Sequence, residues 1–382
     1  MKITFRKDIL EASISDSLCA VSDKNTYPAL EGIRFTAKAG EKCLITTYDL
    51  NKGFLTEIDC ECEEGGNYII NAQRLYRIIK FSPDTYVTLE INRSNKVLVT
   101  SGAAKFELTA LEGESFPNLP NLEGDDGFTV PSSVLKKMIG EIFFAIAVTD
   151  QRPMLCGAYF SIIGDKLKIV SCDGNRLAIR EINGKITKKK EKAEALNLSF
   201  IIPGKTLAQL VRLLSDSEDE VSVHLGRKHA IFRYENKIFF TRLLDGEYID
   251  YTRVIPKEPK IEVVIDRLAV ISSLERASLI TEEKMVGQVR SSVTCNFSGD
   301  TLKIYTNSVS GSVYDEVRMT KTGDDIIMGF NCRFMLEALK SAEGKNVKIL
   351  ITSALLSIII LPEEKEEDKS DFLYMVCPVK IN

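Results

Sequence analysis

Short runs with every second residue apolar alternate with segments whose apolar residues recur at steps of three and four, the periods of strand and helix. Thr4 to Leu18 reads as a strand passing into an amphipathic helix. Phe128 to Ala147 repeats the pattern: Pro131 and Ser132 give a start signal, then Val134, Leu135, Met138, Ile139, Ile142, Phe143 and Ile146 follow at helical spacing. Val263 to Leu279 is a third copy, carried by Leu268, Val270, Ile271 and Leu274. A second helix is expected in each unit, over Ala72–Phe81, Gly204–Ser215 and Cys332–Ala342. Short strands follow each one: Tyr86–Ile91, Lys96–Thr100, Glu220–Leu225, Ile238–Leu243, Val347–Ile351 and Ser357–Leu361.

The units are copies of one another. Gly40–Asp49, Gly164–Asp173 and Gly299–Ser308 each place a glycine and an acidic or polar turn before an alternating strand. Gly32-Ile-Arg-Phe35 matches Gly157-Ala-Tyr-Phe160. A period of roughly 125–135 residues signals three domains of one kind. The polar joint at 121–127 and the charged joint at 256–261 set the expected limits at 1–124, 125–257 and 258–382. The charged runs 188–192 and 363–369 read as solvated loops.

Composition narrows the class. The chain has 382 residues, 44% hydrophobic and 27% charged, as globular proteins do. No apolar run reaches the ~18 residues of a membrane span. Met1-Lys-Ile-Thr-Phe5 meets Arg6, Lys7 and Asp8 without an apolar signal core, so the expected location is the cytoplasm. The nine cysteines are scattered, with only Cys60 and Cys62 close, and read as reduced core thiols.

Charge changes the picture locally. The net charge is −4, yet Arg74, Arg77 and Lys80 share one side of a predicted helix. Lys136, Lys137, Lys205 and Arg212 stand on helices of the second unit, and Arg267, Arg276, Arg333 and Lys340 on those of the third. Two readings stay open: a plain solvated face, or a basic lining that meets phosphates without reading bases.

Catalytic chemistry is sparse. The two histidines, His224 and His229, read as surface residues in a strand–turn region. No nucleophile elbow, Walker A segment or dinucleotide fingerprint occurs. Asp49 and Asp173 follow corresponding strands. They fit turn chemistry better than a metal site, since Asn307 and Ser308 stand in the third copy.

Ala110–Leu119, Cys172–Ala178, Leu244–Pro256, Gly329–Asn331 and Tyr374–Ile381, in this order within a three-fold repeat, closely resemble the bacterial DNA polymerase III beta subunit family, the beta sliding clamps. The resemblance covers nearly the whole chain. It implies an α+β DNA clamp fold: three repeated clamp domains, each with two helices packed on antiparallel sheets, in a head-to-tail homodimeric ring around duplex DNA. It implies no catalysis and no cofactor or metal. The role would be that of a processivity factor in DNA replication, tethering the DNA polymerase III alpha subunit. A clamp loader, other polymerases and repair proteins bearing clamp-binding peptides would be further partners; DNA would be bound without regard to sequence, and no membrane would be involved.

Residue by residue, the resemblance puts a peptide pocket at Leu155, Cys172, Gly174, Asn175, Arg176, Leu177, Ile249, Arg253 and Val254. An adjoining groove falls at Asn331, Phe334, Leu355, Ser357, Met375, Val376, Cys377, Pro378 and Val379, with Arg176 and Arg253 expected as rim donors. Lys24 and Thr149 match DNA-contacting loops, and Arg74, Lys137, Lys205 and Arg333 are further DNA contacts. At the ring joint Lys105, Phe106 and Leu108 would face Leu279 and Ile280 of the second copy, with Lys105 near Glu282 or Glu283. The chain departs from familiar members at Asn175, Cys377 and Val379, which puts peptide preference in question, and Met285 aligns weakly with the groove. Two rival classes are a carboxylate-based metal hydrolase using Asp49 and Asp173, and a monomeric peptide-binding adaptor.

Overall fold

The computed structural model describes residues 1–22, 27–124, 126–188, 197–281, 292–307, 311–364 and 371–381. Lys24, Glu282, Glu283, Met285 and most of the two charged runs lie outside them. Six helices occur among the described residues: α1 (Lys7–Ser17), α2 (Ala72–Lys80), α3 (Ser132–Ile142), α4 (Gly204–Leu213), α5 (Arg267–Thr281) and α6 (Cys332–Ser341). They match the six helical segments of the sequence pattern; α3 ends sooner, because Phe143–Ala145 tightens into a 3-10 turn.

Several helices begin at a capping side chain directly after a strand. Asn71 Oδ1 accepts from the Arg74 amide at 3.0 Å and starts α2. Asn331 accepts from Phe334 at 3.2 Å and starts α6. Asp266 accepts from Ala269 at 2.8 Å and starts α5. Each cap satisfies an amide that has no partner within its helix.

The chain forms two compact units. Of the described residues, the first comprises those within 1–133, 188 and 208–243; the second comprises those within 134–187, 197–207 and 244–381. In the first, an antiparallel sheet runs through strands of the first repeat and continues into the second, where Lys52–Ile58 pairs with Lys237–Arg242. Its main core buries Ile3, Phe5, Phe35, Ile45 and Val99 together with Leu10 and Ile14 of α1 and Leu75 and Ile79 of α2. In the second unit the sheet crosses from repeat two to repeat three where Arg176–Asn183 pairs with Asp371–Val376. There α5 and α6 pack on each other, burying Val270, Ile271 and Leu274 on one and Met335, Leu336 and Leu339 on the other. The middle repeat is thus divided, its strands completing both sheets.

Corresponding turns confirm the internal repeat at atomic detail. Asp49 Oδ1 accepts from the amides of Asn51 and Lys52 at 2.9 and 2.8 Å. Asp173 Oδ1 accepts from Asn175 and Arg176, both at 2.8 Å. Both aspartates therefore shape turns. One expectation fails: His224 is buried rather than on the surface. It stands opposite Gly127 in the sheet, and a Cβ at Gly127 would come 2.9 Å from its Nδ1. The missing side chain gives the imidazole its space.

A charged cluster lies inside the second unit. Arg180, fully buried, reaches Glu141 at 2.5 Å and Glu343 at 3.0 Å, and Lys137 also pairs with Glu343. Removing a carboxylate partner leaves the buried Arg180 guanidinium less compensated, which is destabilising. Burial pushes the Glu141 carboxyl up to about 7, against the pull of Arg180 and with the Glu343 charge adding to the rise. The folded value lies above the unfolded one. The stabilisation from proton uptake is therefore complete below the ordinary carboxylate range and is lost as pH rises through about 7. Calorimetry of the wild type and Glu141→Gln checks this: the wild-type midpoint should fall relative to the variant between about pH 4.5 and pH 7 and run parallel to it above that. A parallel response over the whole range would mean that Glu141 stays ionised throughout.

Candidate functional site

The hairpin of Lys166–Cys172 and Arg176–Asn183, with Asp371–Val376 beside it, brings residues distant in sequence into one apolar cluster. Leu155, Cys172, Leu177 and Met375 are buried in it with Val170 and Ile179, and the half-buried Ile249, Tyr248 and Met154 pack against it. The register sets Leu177 opposite Met375 and Arg176 opposite Val376. At the tight end Gly174 has φ +87°, which suits glycine, and its amide donates to Cys172 Sγ at 3.4 Å. The Cys377 amide donates to the Asn175 carbonyl at 2.9 Å, and Ser357 Oγ donates to Cys377 Sγ at 3.2 Å. Pro378 and Val379 pair with Phe330 and Gly329, just before Asn331 caps α6. Gly329 has no room for a side chain: a Cβ there would sit 2.7 Å from the Val379 carbonyl.

Apolar side chains outside this buried cluster are left open to solvent. Val254 is 48% exposed and Leu355 is 89% exposed. Val254 follows the short 3-10 turn Tyr251–Arg253, whose Tyr251 packs on the cluster. Arg253 is exposed and pairs with Asp250 at 2.7 Å. Arg176 is the correction. It is only 7% exposed, bonds Asp173 and Glu337, and lies 4.0 Å from the Phe334 ring centroid. A guanidinium engaged by two carboxylates and an aromatic face is a structural element of the site rather than a free donor at its rim. Burial pushes the Cys172 thiol up, so it packs as an apolar group. Among the described residues no cluster of histidine, cysteine or carboxylate side chains is arranged to hold a metal, and no helix is long and apolar enough to cross a membrane.

The basic helix faces divide into two kinds. Arg74, Arg77 and Lys80 on α2 are exposed and carry no ion pair among the described residues, and Lys80 lies 5.9 Å from the Tyr76 ring centroid. Lys205, on α4, is also exposed, as is Thr149 on its loop. In the third repeat the cations are engaged locally. Arg276 bonds Asp315, Lys340 bonds Glu275 at 2.7 Å, and Arg333 bonds Glu337 at 2.8 Å. Arg267 donates to the carbonyls of Leu339 and Gly344, at and beyond the end of α6. Lys137 is held by Glu343. Sequence spacing identified these cations but not the carboxylates opposite them.

Two strands have one edge paired over only part of their length. Ala104–Glu112 pairs with Lys96–Ser101 through Ala104–Thr109 and with Gly66–Asn71 through Ala110–Glu112, which leaves the outer edge of 104–109 open among the described residues. Ser312–Thr322 pairs with Thr301–Asn307 through 312–318 and with Ile261–Asp266 through 319–322, leaving the same kind of edge. These are corresponding strands of the first and third repeats. Phe106 and Leu108 are half-buried on the first edge, with Lys105 exposed. On α5, Leu279 is 79% exposed and Ile280 half-buried.

Family models describing the N-terminal, central and C-terminal domains of the DNA polymerase III beta subunit match residues 1–120, 129–250 and 252–376. A beta sliding clamp of Bacillus subtilis is 28% identical over the full length of both chains. The crystal structure of a DNA polymerase III beta subunit from Eubacterium rectale superposes with a TM-score of 0.91 at 27% identity, covering all of both chains. A Pseudomonas aeruginosa clamp bound to griselimycin gives 0.89 at 25% identity, again over both whole chains. By class, then, this is a three-domain DNA clamp. The chain belongs to the DNA polymerase III beta subunit family, the bacterial beta sliding clamps, which act in replication as processivity factors and not as catalytic subunits.

The split between free and engaged cations gives a measurable expectation. Replacing Arg74 and Arg77 by alanine should flatten the salt dependence of duplex binding, by about 0.9 in the log–log slope for each phosphate no longer neutralised. Replacing Arg276 and Asp315 together should leave the slope within error. Fluorescence anisotropy of a short labelled duplex across a salt series measures both.

Proposed function

We propose that two copies of this chain close head to tail into a ring around duplex DNA and tether replication proteins through the cleft at Leu177, Val254 and Met375. The observation that carries the reading is the pair of half-open strand edges at 104–109 and 312–318. They lie on different repeats, so each copy offers one of each. A heterologous contact used twice closes a two-fold ring without leftover edges. Phe106 and Leu108 on one edge would bury against Leu279 and Ile280 of the second copy.

The free cations of α2, with Lys205 and Thr149, would meet phosphates weakly and without regard to sequence. Linkage by topology needs no tight grip, which reconciles DNA binding with a net charge of −4. Lys24 belongs to the same proposed DNA surface. The cleft, with its buried floor and open apolar Val254 and Leu355, would take a short peptide anchored by apolar side chains. Its occupants would be peptides of the polymerase alpha subunit, the clamp loader, other polymerases and repair proteins. The domain limits 1–124, 125–257 and 258–382 and a cytoplasmic place of work complete the proposal.

Topology is the decisive test. The protein is loaded by a clamp loader onto nicked circular DNA, isolated at high salt, and the DNA is then linearised. Retention on the circle with loss from the linear form is expected. Equal loss from both would overturn the ring and favour a monomeric adaptor. Phe106→Glu should halve the mass in sedimentation equilibrium and abolish retention on the circle; an unchanged mass would place the joint elsewhere.

A further inference from the structure

Arg176 is the centre of a chain of contacts that starts on a helix surface and ends in the cleft. Its Nε donates to Asp173 Oδ2 at 3.0 Å, and its NH1 donates to Glu337 of α6. Its guanidinium stands 4.0 Å from the Phe334 ring centroid and 5.5 Å from that of Phe144. Held on its edge by carboxylates and across its faces by rings, it has little freedom to turn. Asp173 in turn accepts from the amides of Asn175 and Arg176, and the Asn175 carbonyl accepts from Cys377. Moving Arg176 would therefore disturb both strands that border the cleft.

Glu337 has a second partner. Four residues earlier on α6, Arg333 donates to its other oxygen at 2.8 Å, and Arg333 is 72% exposed. Burial alone would raise the Glu337 carboxyl, but the bonds from Arg333 and Arg176 outweigh it and hold the group below its ordinary value. One ionised carboxylate is thus divided between an exposed guanidinium and a buried one.

We propose that Glu337 is a positioning residue for the peptide cleft and that, by sharing its carboxylate with Arg333, it couples the cleft to a polyanion lying along α6. A phosphodiester that draws Arg333 away leaves Glu337 to Arg176 alone. The bond to Arg176 then strengthens, and the 173–176 turn is held more firmly. By linkage, a ligand that favours the firm turn strengthens DNA binding by the same factor. The inference rests on the proposed reading of the hairpin as the peptide cleft and on the expectation, from the family resemblance, that Arg333 meets DNA once it is drawn off Glu337.

Hydrogen exchange of the full-length protein tests it, with and without a short duplex of mixed sequence. Glu337→Gln should speed exchange at the amides of Asn175, Arg176 and Cys377 by about tenfold while leaving strand 157–163 unchanged. Glu337→Asp should restore part of the protection. The duplex should slow exchange at the same three amides by about threefold in the wild type but not in Arg333→Ala. Equal exchange in the wild type and Glu337→Gln, or a uniform rise across the unit, would overturn the positioning role. A duplex effect that survives in Arg333→Ala, or none in the wild type, would overturn the coupling. If the duplex fails to bind at all, the coupling falls with the DNA reading beneath it, and Glu337→Gln still decides the positioning role.

Discussion

Backbone pairing between repeats is the constraint on which the rest of this structure depends. Strand 52–58 pairs with 237–242, and strand 176–183 pairs with 371–376, so each sheet runs from one repeat into the next. An antiparallel ladder fixes register residue by residue, and a slip of one would turn every side chain to the wrong face. The register of the second ladder is what sets Leu177 opposite Met375 and Arg176 opposite Val376. The buried apolar cluster is thus a by-product of the joint between repeats, built where two copies of the same motif meet.

Electrostatics refine that joint. Arg176 and Arg180 stand four residues apart on one strand, and both reach carboxylates of the third repeat, Glu337 and Glu343. Alternation along the strand puts them on the same face. Such buried pairs are weak evidence for stability, because desolvation offsets much of the attraction, but they tolerate few alternative arrangements. The third repeat uses its helix cations mainly to bind its own carboxylates, whereas the first leaves Arg74, Arg77 and Lys80 to solvent. Three copies of one fold therefore present different electrostatic faces.

Absence of an edge partner shapes the assembly as much as any contact does. The strands 104–112 and 312–322 each change neighbours partway along, and among the described residues each is left with an unpaired edge. Such edges invite pairing with another chain. Two of them at corresponding places in the first and third repeats favour a contact between unlike surfaces, the kind that generates rings.

The sequence alone determined the elements and their repetition, because periods of two and 3.6 and the capping residues Asn71, Asp266 and Asn331 act over a few neighbours. All six helices and the equivalence of the Asp49 and Asp173 turns were legible there; that Leu155, Leu177 and Met375 fall into one buried apolar cluster took the folded chain to show. Only the tertiary structure decided which charges cancel. Arg176 and Glu337 are 161 positions apart, and no local pattern could show that an arginine beside the apolar cluster turns inward to meet that carboxylate. For the same reason His224 was misread: its burial depends on the missing side chain of Gly127, across a strand pair formed at long range. Local rules reach as far as one helix or one turn; pairing between distant strands decides who stands opposite whom.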